Sequence, residues 1–394
     1  MTGAGVWLLW PRPVPVTPPP EERLSLAPAS YGMLPGWADD DQAAALAAFR
    51  RSCRTMLAQP PDRPLDGDGF AGAIGDWQPA CRAASDLPEA ADAAMARHFF
   101  ETWFQPLAVA NGDDARGLFT GYYAPIVHGS RTRTAKYDVP LYRAPPELVM
   151  VDLGQFRPSL KGQRIAGKVE GNRLVPFASR AEIVNGALSR RGLEIMWLDD
   201  PVDAFFMQIQ GSGLVRLPDG SLVRLGFAGQ NGYPYTSVGK LLVQRGEMTL
   251  DQASMQSIRA WVNAHPEEGR ELLNENRSYV FFEEQNAEGA VGAQGVVLTP
   301  GRSLAVDRKF MPLGAPIWLD VTSDDGVRHL QRLVVAQDTG GAITGIVRGD
   351  FYWGEGDAAE KAAGPMKDRG RYFILLPRPV AARALAASPA GGAP

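Results

Sequence analysis

Three aspartates near the C-terminal end of the chain have the setting of a general acid. Asp338 and Asp350 each follow a run of strand-forming residues and are bracketed by glycines, and Asp307 precedes them. Glycine lets a backbone or a ligand approach closely. A carboxyl group beside aromatic side chains and near a second carboxylate should have a raised pKa, because burial and like charge disfavour its ionised form. Such a group can donate a proton at neutral pH.

The same residues allow two other interpretations. Asp-Thr-Gly and Gly-Asp sequences are common turn formers, and for any one aspartate alone the turn interpretation is the stronger. Asp338-Thr339-Gly340 is also the triplet of aspartic proteases. A pepsin-like chain needs two such triplets, however, and this sequence contains one.

The elements that must position these aspartates are mainly strands. Residues 1–36 are rich in proline and predict a disordered leader. Apolar spacing predicts helices over 39–58 and 88–104. From Leu118 the sequence turns to short strands and turns, and Pro218-Asp219-Gly220 predicts a hairpin.

Further helices interrupt the strands before the aspartates. Ser237 is expected to cap a short helix, and two more helices follow over 250–263 and 266–275. Strands return at Tyr279, where Phe281 and Phe282 are expected in the core, and the tail 378–394 should be disordered.

Composition excludes several classes of partner. The 394 residues include 43 glycines and 32 prolines, which favours short strands and many loops. A net charge of −4 gives no basic surface for nucleic acid. No run of 18 apolar residues predicts a transmembrane segment. Four scattered histidines and two cysteines make a metal site improbable, and we expect no cofactor.

The two cysteines leave two alternatives open. Cys53 and Cys81 both lie in helical segments of the N-terminal region. They could be buried free thiols, or they could form a disulfide, which would indicate an oxidising compartment.

Five blocks of sequence, in fixed order, resemble a known enzyme family. They are Phe119-Thr-Gly-Tyr-Tyr-Ala-Pro125, Phe205-Phe-Met-Gln-Ile-Gln-Gly-Ser-Gly213, Gly229-Gln-Asn-Gly-Tyr-Pro-Tyr235, Ala336-Gln-Asp338-Thr-Gly-Gly341 and Gly349-Asp350-Phe-Tyr-Trp-Gly354. The first three are similar to the membrane-bound lytic transglycosylase A family. The last two, with Leu304-Ala-Val-Asp307, resemble its three-aspartate domain.

The resemblance implies a mainly β fold with flanking helices. It predicts a double-psi β-barrel, similar to barwin and expansins, that is interrupted by a second β-rich domain, with a substrate groove between the two. The expected divisions are the leader (1–36), helices and the first barrel strand (37–123), the inserted domain (124–276), the rest of the barrel (277–377) and the tail (378–394).

The resemblance also implies an activity and its residues. Such enzymes cleave the bond between N-acetylmuramic acid and N-acetylglucosamine in peptidoglycan and leave a 1,6-anhydro sugar. Asp350 would be the catalytic acid and base, Asp338 its neighbour, and Asp307 a supporting residue. The positions expected to bind the glycan strand are Thr120, Tyr122, Gln210, Ser212, Tyr233 and Tyr235.

The residue types themselves fit a sugar groove. Gln208 and Gln210 have the spacing of one strand face, and amide groups both donate to and accept from hydroxyls. Tyr122, Tyr233 and Tyr235 could stack on sugar rings, although core packing is the commoner role of a single tyrosine.

Two rival functions remain at this stage. A non-catalytic, expansin-like module would keep the barrel but need no acid, and a muramidase would hydrolyse the same bond. We expect a monomer in the periplasm, either free or associated with the outer membrane. No export signal is visible, because the apolar run Val6–Trp10 is short and ends at Pro11.

Overall fold

The computed structural model describes residues 22–387, except positions 68, 161, 162 and 251. Its strands are β1 (Leu24–Pro28), β2 (Phe104–Asn111), β3 (Gly117–Ala124), β4 (Ile126–Ser130), β5 (Val139–Tyr142), β6 (Leu148–Asp152), β7 (Arg164–Glu170), β8 (Arg173–Pro176), β9 (Glu194–Leu198), β10 (Gly213–Arg216), β11 (Leu222–Gln230), β12 (Val280–Glu284), β13 (Ser303–Ala305), β14 (Pro316–Thr322), β15 (His329–Asp338), β16 (Arg348–Glu355) and β17 (Lys367–Pro377). Its α-helices are α1 (Gln42–Leu57), α2 (Ile74–Asp86), α3 (Ala93–Trp103), α4 (Arg180–Glu182), α5 (Pro201–Gln210), α6 (Val238–Gln244), α7 (Met255–Ala264), α8 (Pro266–Glu275), α9 (Gly356–Ala363) and α10 (Arg378–Ala387).

Six strands form a closed barrel. They follow the order β3-β16-β13-β15-β14-β17, and the ring closes because β17 pairs with β3 as well as with β14. Two of the pairings, β3 with β16 and β13 with β15, are parallel. Strands β2 and β1 extend the sheet beyond β17. The predicted barrel, interrupted between β3 and β13 by a second β-rich unit, is confirmed.

Alternation along β16 separates the core from the site. Phe351 is fully buried in the main hydrophobic core together with Phe119 and Tyr372. Burying one such side chain stabilises the fold by roughly 1.5–3 kcal/mol. Because successive strand residues face opposite sides of a sheet, Asp350 and Tyr352 point away from that core.

Helices α1, α2 and α3 pack on the barrel. The side chain of Asp41 caps α1 by accepting a hydrogen bond from the Ala43 N–H at 3.1 Å. The neighbouring Asp40 forms a buried, bidentate ion pair with Arg302 at 2.7 and 2.9 Å, which fixes the start of α1 against the barrel. A disulfide between Cys53 and Cys81 joins α1 to α2, so of the two alternatives the structure selects the bonded pair.

The inserted unit contains two sheets. The larger has the strand order β12-β11-β10-β4-β9-β5, and the smaller is the meander β6-β7-β8. The predicted hairpin at Pro218–Gly220 is confirmed, since β10 and β11 pair antiparallel across it. The Ser237 cap is also present, because its hydroxyl accepts from the Lys240 N–H at 3.3 Å. No helix in the described ranges has the length and apolar character needed to span a membrane.

Two predictions of disorder were wrong within the described residues. Residues 24–28 of the expected leader form β1, which pairs antiparallel with β2. Residues 378–387 of the expected tail form α10, in which Val380 and Ala384 are buried. Alanine is the strongest helix former, so an alanine-rich tail becomes a helix once it has a surface to pack on. Of the expected leader and tail, residues 1–21 and 388–394 lie outside the described residues.

The boundary at 276/277 was also wrong. β12 pairs with β11 in the larger inserted sheet, so the insert extends to about Glu284. Tyr279, Phe281 and Phe282 are buried, as predicted, but in the core of the insert rather than of the barrel.

Candidate active site

Asp350 lies on β16, and one of its two carboxylate oxygens accepts a hydrogen bond. Its register partner on β3 is Thr120, whose hydroxyl donates to Oδ1 at 2.5 Å. Oδ2 accepts no hydrogen bond from any residue that the structure describes. Burial raises the pKa of Asp350, while the Thr120 hydrogen bond and the positive charge of Arg348 lower it. The result is a carboxyl group with a raised pKa and one unused oxygen.

Gly349 lets β16 lie this close to the barrel core. A Cβ atom at this position would stand 3.0 Å from carbon atoms of both Leu304 and Phe119. A larger residue would therefore crowd these two core side chains.

Asp338, at the end of β15, is held by three donors. Its Oδ1 accepts from the N–H groups of Ala293 and Thr339 at 2.8 and 2.9 Å, and its Oδ2 accepts from the Tyr122 hydroxyl at 2.9 Å. Burial raises the pKa of Asp338 to about 6, the three donors oppose the rise, and the charge of Asp350 adds to it. The interaction between two carboxylates is mutual, so the second proton of the pair is harder to remove than the first.

Strand β13 places the two carboxyl groups on one face. Ala305 is the register partner of both Asp338 and Asp350, so the two aspartates lie two strands apart, at roughly 9–10 Å between backbones. The small side chain of Ala305 leaves space between them. Tyr122 and Tyr352, whose ring centroids are 5.1 Å apart, complete this face.

An ion pair joins this face to the inserted unit. Arg224 of β11 binds both carboxylate oxygens of Glu355, at the end of β16, at 2.5 and 3.2 Å. Its Nε donates to the carbonyl of Ala287, in the segment that returns to the barrel, at 3.2 Å. Arg224 thus fixes the insert to the strand that carries Asp350.

We expect Arg224→Gln to lower the free energy of unfolding by about 2 kcal/mol, because it leaves a mostly buried carboxylate without its partner. The side chains of Arg224 and Glu355 are 10% and 29% exposed. Urea unfolding measures the change. The matched control is Arg131→Gln, which breaks the more exposed pair with Glu284 and should cost no more than about 0.5 kcal/mol. Equal losses of unfolding free energy in both variants would contradict the role of Arg224 in fixing the insert to β16.

Comparisons with known proteins agree with this geometry. A model of the MltA specific insert domain matches residues 118–283, and a model of the 3D domain matches residues 302–376. Membrane-bound lytic murein transglycosylase A from Vibrio cholerae is 35% identical over 277 residues, which are 68% of this chain and 68% of that protein. The chain belongs to the membrane-bound lytic murein transglycosylase A family.

Other relatives support the membership. The Escherichia coli K12 transglycosylase A is 36% identical over 268 residues, and the match spans 66% of each chain. The crystal structure of the membrane-bound lytic murein transglycosylase from Agrobacterium tumefaciens superposes with a TM-score of 0.81 at 34% identity, and the match covers 91% of this chain and 99% of that one. An Escherichia coli MltA structure with bound chitohexaose superposes with a TM-score of 0.63 at 30% identity, and the match covers 90% of this chain and 94% of that one.

The transglycosylase A motif around Gln210 has a different local structure from the one predicted. Gln208 and Gln210 lie on helix α5, not on a strand, so they do not share a face in the way that was expected. Asp200 caps this helix at its start, and Gly211, with φ of 77°, ends it. Gln210 Oε1 accepts from the Tyr123 N–H at 3.1 Å, which connects α5 to the strand that carries Thr120 and Tyr122.

The remaining motif residues do not contact either aspartate in the part of the chain that the structure describes. Ser212 is part-exposed in the turn between α5 and β10 and makes no hydrogen bond to the described residues. Tyr233 donates to the Phe177 carbonyl at 3.1 Å, under the guanidinium of Arg277. Tyr235 is exposed. No contact joins these three to Asp338 or Asp350 within the described residues.

Tyr122 and Asp307 have supporting contacts. Tyr122 is buried and donates to Asp338, so it is not available as a stacking platform. Asp307 accepts from the N–H groups of Lys309 and Gly345, at 2.9 and 2.8 Å, and holds the loop that precedes β16. Two groups at this site were not identified from the sequence: Arg348, which donates to Thr120, and the Ala293 N–H, which donates to Asp338. Arg348 could have been found, because it lies two residues before Asp350 and therefore on the same strand face.

Proposed function

We propose that this protein is a lytic transglycosylase that cleaves the β-1,4 bond between N-acetylmuramic acid and N-acetylglucosamine in peptidoglycan and forms 1,6-anhydromuramyl ends. The observation that carries the proposal is the unequal state of the two carboxyl groups. Among the residues that the structure describes, one oxygen of Asp350 has no donor, whereas both oxygens of Asp338 are occupied by protein donors.

Asp350 acts first as an acid and then as a base. The protonated carboxyl group donates its proton to the glycosidic oxygen, the bond to C1 breaks, and an oxocarbenium-like centre develops at C1. The carboxylate then removes the proton of the C6 hydroxyl of the same sugar, whose oxygen attacks C1. The proton returns to Asp350, and no water is consumed.

We assign Asp338 the role of an electrostatic partner. A hydrolase of the two-carboxylate type needs a second free carboxylate as nucleophile or to activate water. The three donors on Asp338 leave it poorly suited to that task, and they stabilise its charged form. Its charge near Asp350 favours retention of the Asp350 proton and stabilises positive charge at C1.

The glycan strand is proposed to lie between the barrel and the insert. Thr120 and Tyr122 touch the two aspartates, and Gln210 reaches the same strand through Tyr123. We assign Ser212, Tyr233 and Tyr235 to more distant sugar positions, and the chitohexaose bound by the Escherichia coli relative supports a site for an extended sugar chain. The protein is proposed to act as a monomer in the periplasm, free or at the outer membrane, and the disulfide supports an oxidising compartment.

Mass spectrometry of the products released from purified sacculi tests the reaction. The expected muropeptides carry anhydro ends, each one water lighter than a reducing end. Reducing ends would instead indicate a muramidase, and binding to sacculi without any release would indicate an expansin-like module.

A further inference from the structure

Arg348 occupies an unusual position beside the proposed acid. It lies on β16, and its Nη2 donates to Thr120 Oγ1 at 2.9 Å. Its Nη1 donates to the carbonyl oxygens of Leu118, at 3.2 Å, and Gly349. The side chain is half-buried and makes no ion pair with a carboxylate of the described residues. A guanidinium group is therefore held in place by neutral acceptors only.

The chemistry of these groups fixes the direction of the hydrogen bonds. A guanidinium can only donate, so Thr120 Oγ1 must accept from Arg348. The hydroxyl hydrogen of Thr120 is then free for Asp350 Oδ1, which lies 2.5 Å away. If the proton of Asp350 lay on Oδ1 instead, the Thr120 oxygen would accept twice, and its own hydrogen would have no acceptor among the described residues.

We propose that Arg348 is a positioning residue that acts through Thr120 to keep the acid proton of Asp350 on Oδ2, the oxygen that has no partner in the described part of the chain. The proposal rests on the proposed function, because it concerns the group that donates to the glycosidic oxygen. Arg348 touches neither the reacting proton nor the free oxygen; it orients the hydroxyl that does contact Asp350.

The charge of Arg348 also lowers the pKa of Asp350, against the larger effect of burial. The charged and titratable groups that face Asp350 are Arg348 on its own strand, Asp338 on β15 and Tyr122 on β3. Both the charge of Arg348 and the hydrogen bond from Thr120 lower the pKa of Asp350. Loss of either one should raise that pKa, so the acid form persists to higher pH and the alkaline limb of kcat/KM moves upward.

The variants Arg348→Gln, Arg348→Lys and Thr120→Val separate orientation from charge. We expect kcat for release of anhydro products to fall about tenfold or more in each, with a smaller change in KM, because proton placement is disturbed. The alkaline limb should move upward in Arg348→Gln and Thr120→Val and stay nearly in place in Arg348→Lys, which keeps the charge. Arg371→Gln, which loses a surface pair with Asp320 on the same barrel, is the matched control.

A double-mutant cycle decides whether Arg348 acts through Thr120. The variant Arg348→Gln/Thr120→Val should be no slower than Thr120→Val alone, because Thr120→Val already removes the hydroxyl through which Arg348 acts on Asp350. An unmoved alkaline limb in Arg348→Gln, or a double variant as slow as the product of the two single effects, would overturn the proposal. If Arg348→Gln fails to fold, two other measurements test the proposal. The alkaline limb of kcat/KM should move upward in Thr120→Val, and kcat should fall about tenfold in Arg348→Lys. An unmoved limb in the first or a wild-type kcat in the second would overturn the proposal. Absence of anhydro products from the wild type would instead reject the proposed function itself.

Discussion

Replacing Asp350 with asparagine is expected to slow the release of anhydro muropeptides by about 10²- to 10⁴-fold, the usual range for a positioned general acid. Asparagine has the size of aspartate, and its amide oxygen can still accept from the Thr120 hydroxyl, so the fold and the hydrogen bond to Oδ1 should survive. The amide nitrogen at the Oδ2 position cannot donate a proton to a leaving oxygen and take one back. The loss should therefore appear in kcat, while binding to sacculi is kept.

Asp357→Asn is the control for this variant. Asp357 lies in the first turn of α9, seven residues farther along the chain, and is exposed. Its replacement should leave the rate within twofold or so of the wild type, as for most surface substitutions. If Asp350→Asn kept the wild-type rate, Asp350 would not be the acid, and the unequal hydrogen bonding of the two aspartates would need another explanation.

The strands and turns around the two aspartates could be recognised from the sequence because the relevant signals are local. Asp338 is the last residue of β15 and Asp350 lies near the start of β16, and glycines that the printed sequence shows stand close to both. The hairpin at Pro218–Gly220 and the Ser237 cap are local in the same sense. Turn and cap signals depend on a few neighbouring residues, so they can be identified without knowing the rest of the fold.

Features that depend on distant partners could not be predicted in the same way. Strand β12 has the composition of any buried strand, and only its pairing with β11 assigns it to the insert. The segment 204–210 is apolar almost throughout, and such a run does not distinguish a helix from a strand, which is why Gln208 and Gln210 were placed on the wrong element. The donors to Asp338 include an N–H from residue 293, and no local pattern brings that residue to β15.

The disulfide connects the stability of the fold to the site. Cys81 also contacts Met56 of α1, and α1 packs against β15. Gln337, immediately before Asp338, donates to the carbonyl of Ala48 and to Ser52 Oγ, both at 2.9 Å. Motion of α1 relative to the barrel would therefore be transmitted to the residue next to Asp338.

We expect the variant Cys53→Ala/Cys81→Ala to lose about 3–4 kcal/mol of unfolding free energy, because the bond closes a loop of 28 residues and restricts the unfolded chain. That is a large part of the roughly 5–15 kcal/mol that stabilises a typical domain. Urea unfolding of the wild type with and without dithiothreitol provides the matched comparison. Reduction should destabilise the wild type by a similar amount and leave the double variant unchanged, since it has no bond to lose.

Molecules that remain folded should keep most of their activity, because the strands that carry Asp338, Asp350 and Thr120 do not contain either cysteine. A wild type that is equally stable in oxidised and reduced form would contradict both the stabilising role of the bond and its use as support for an oxidising compartment.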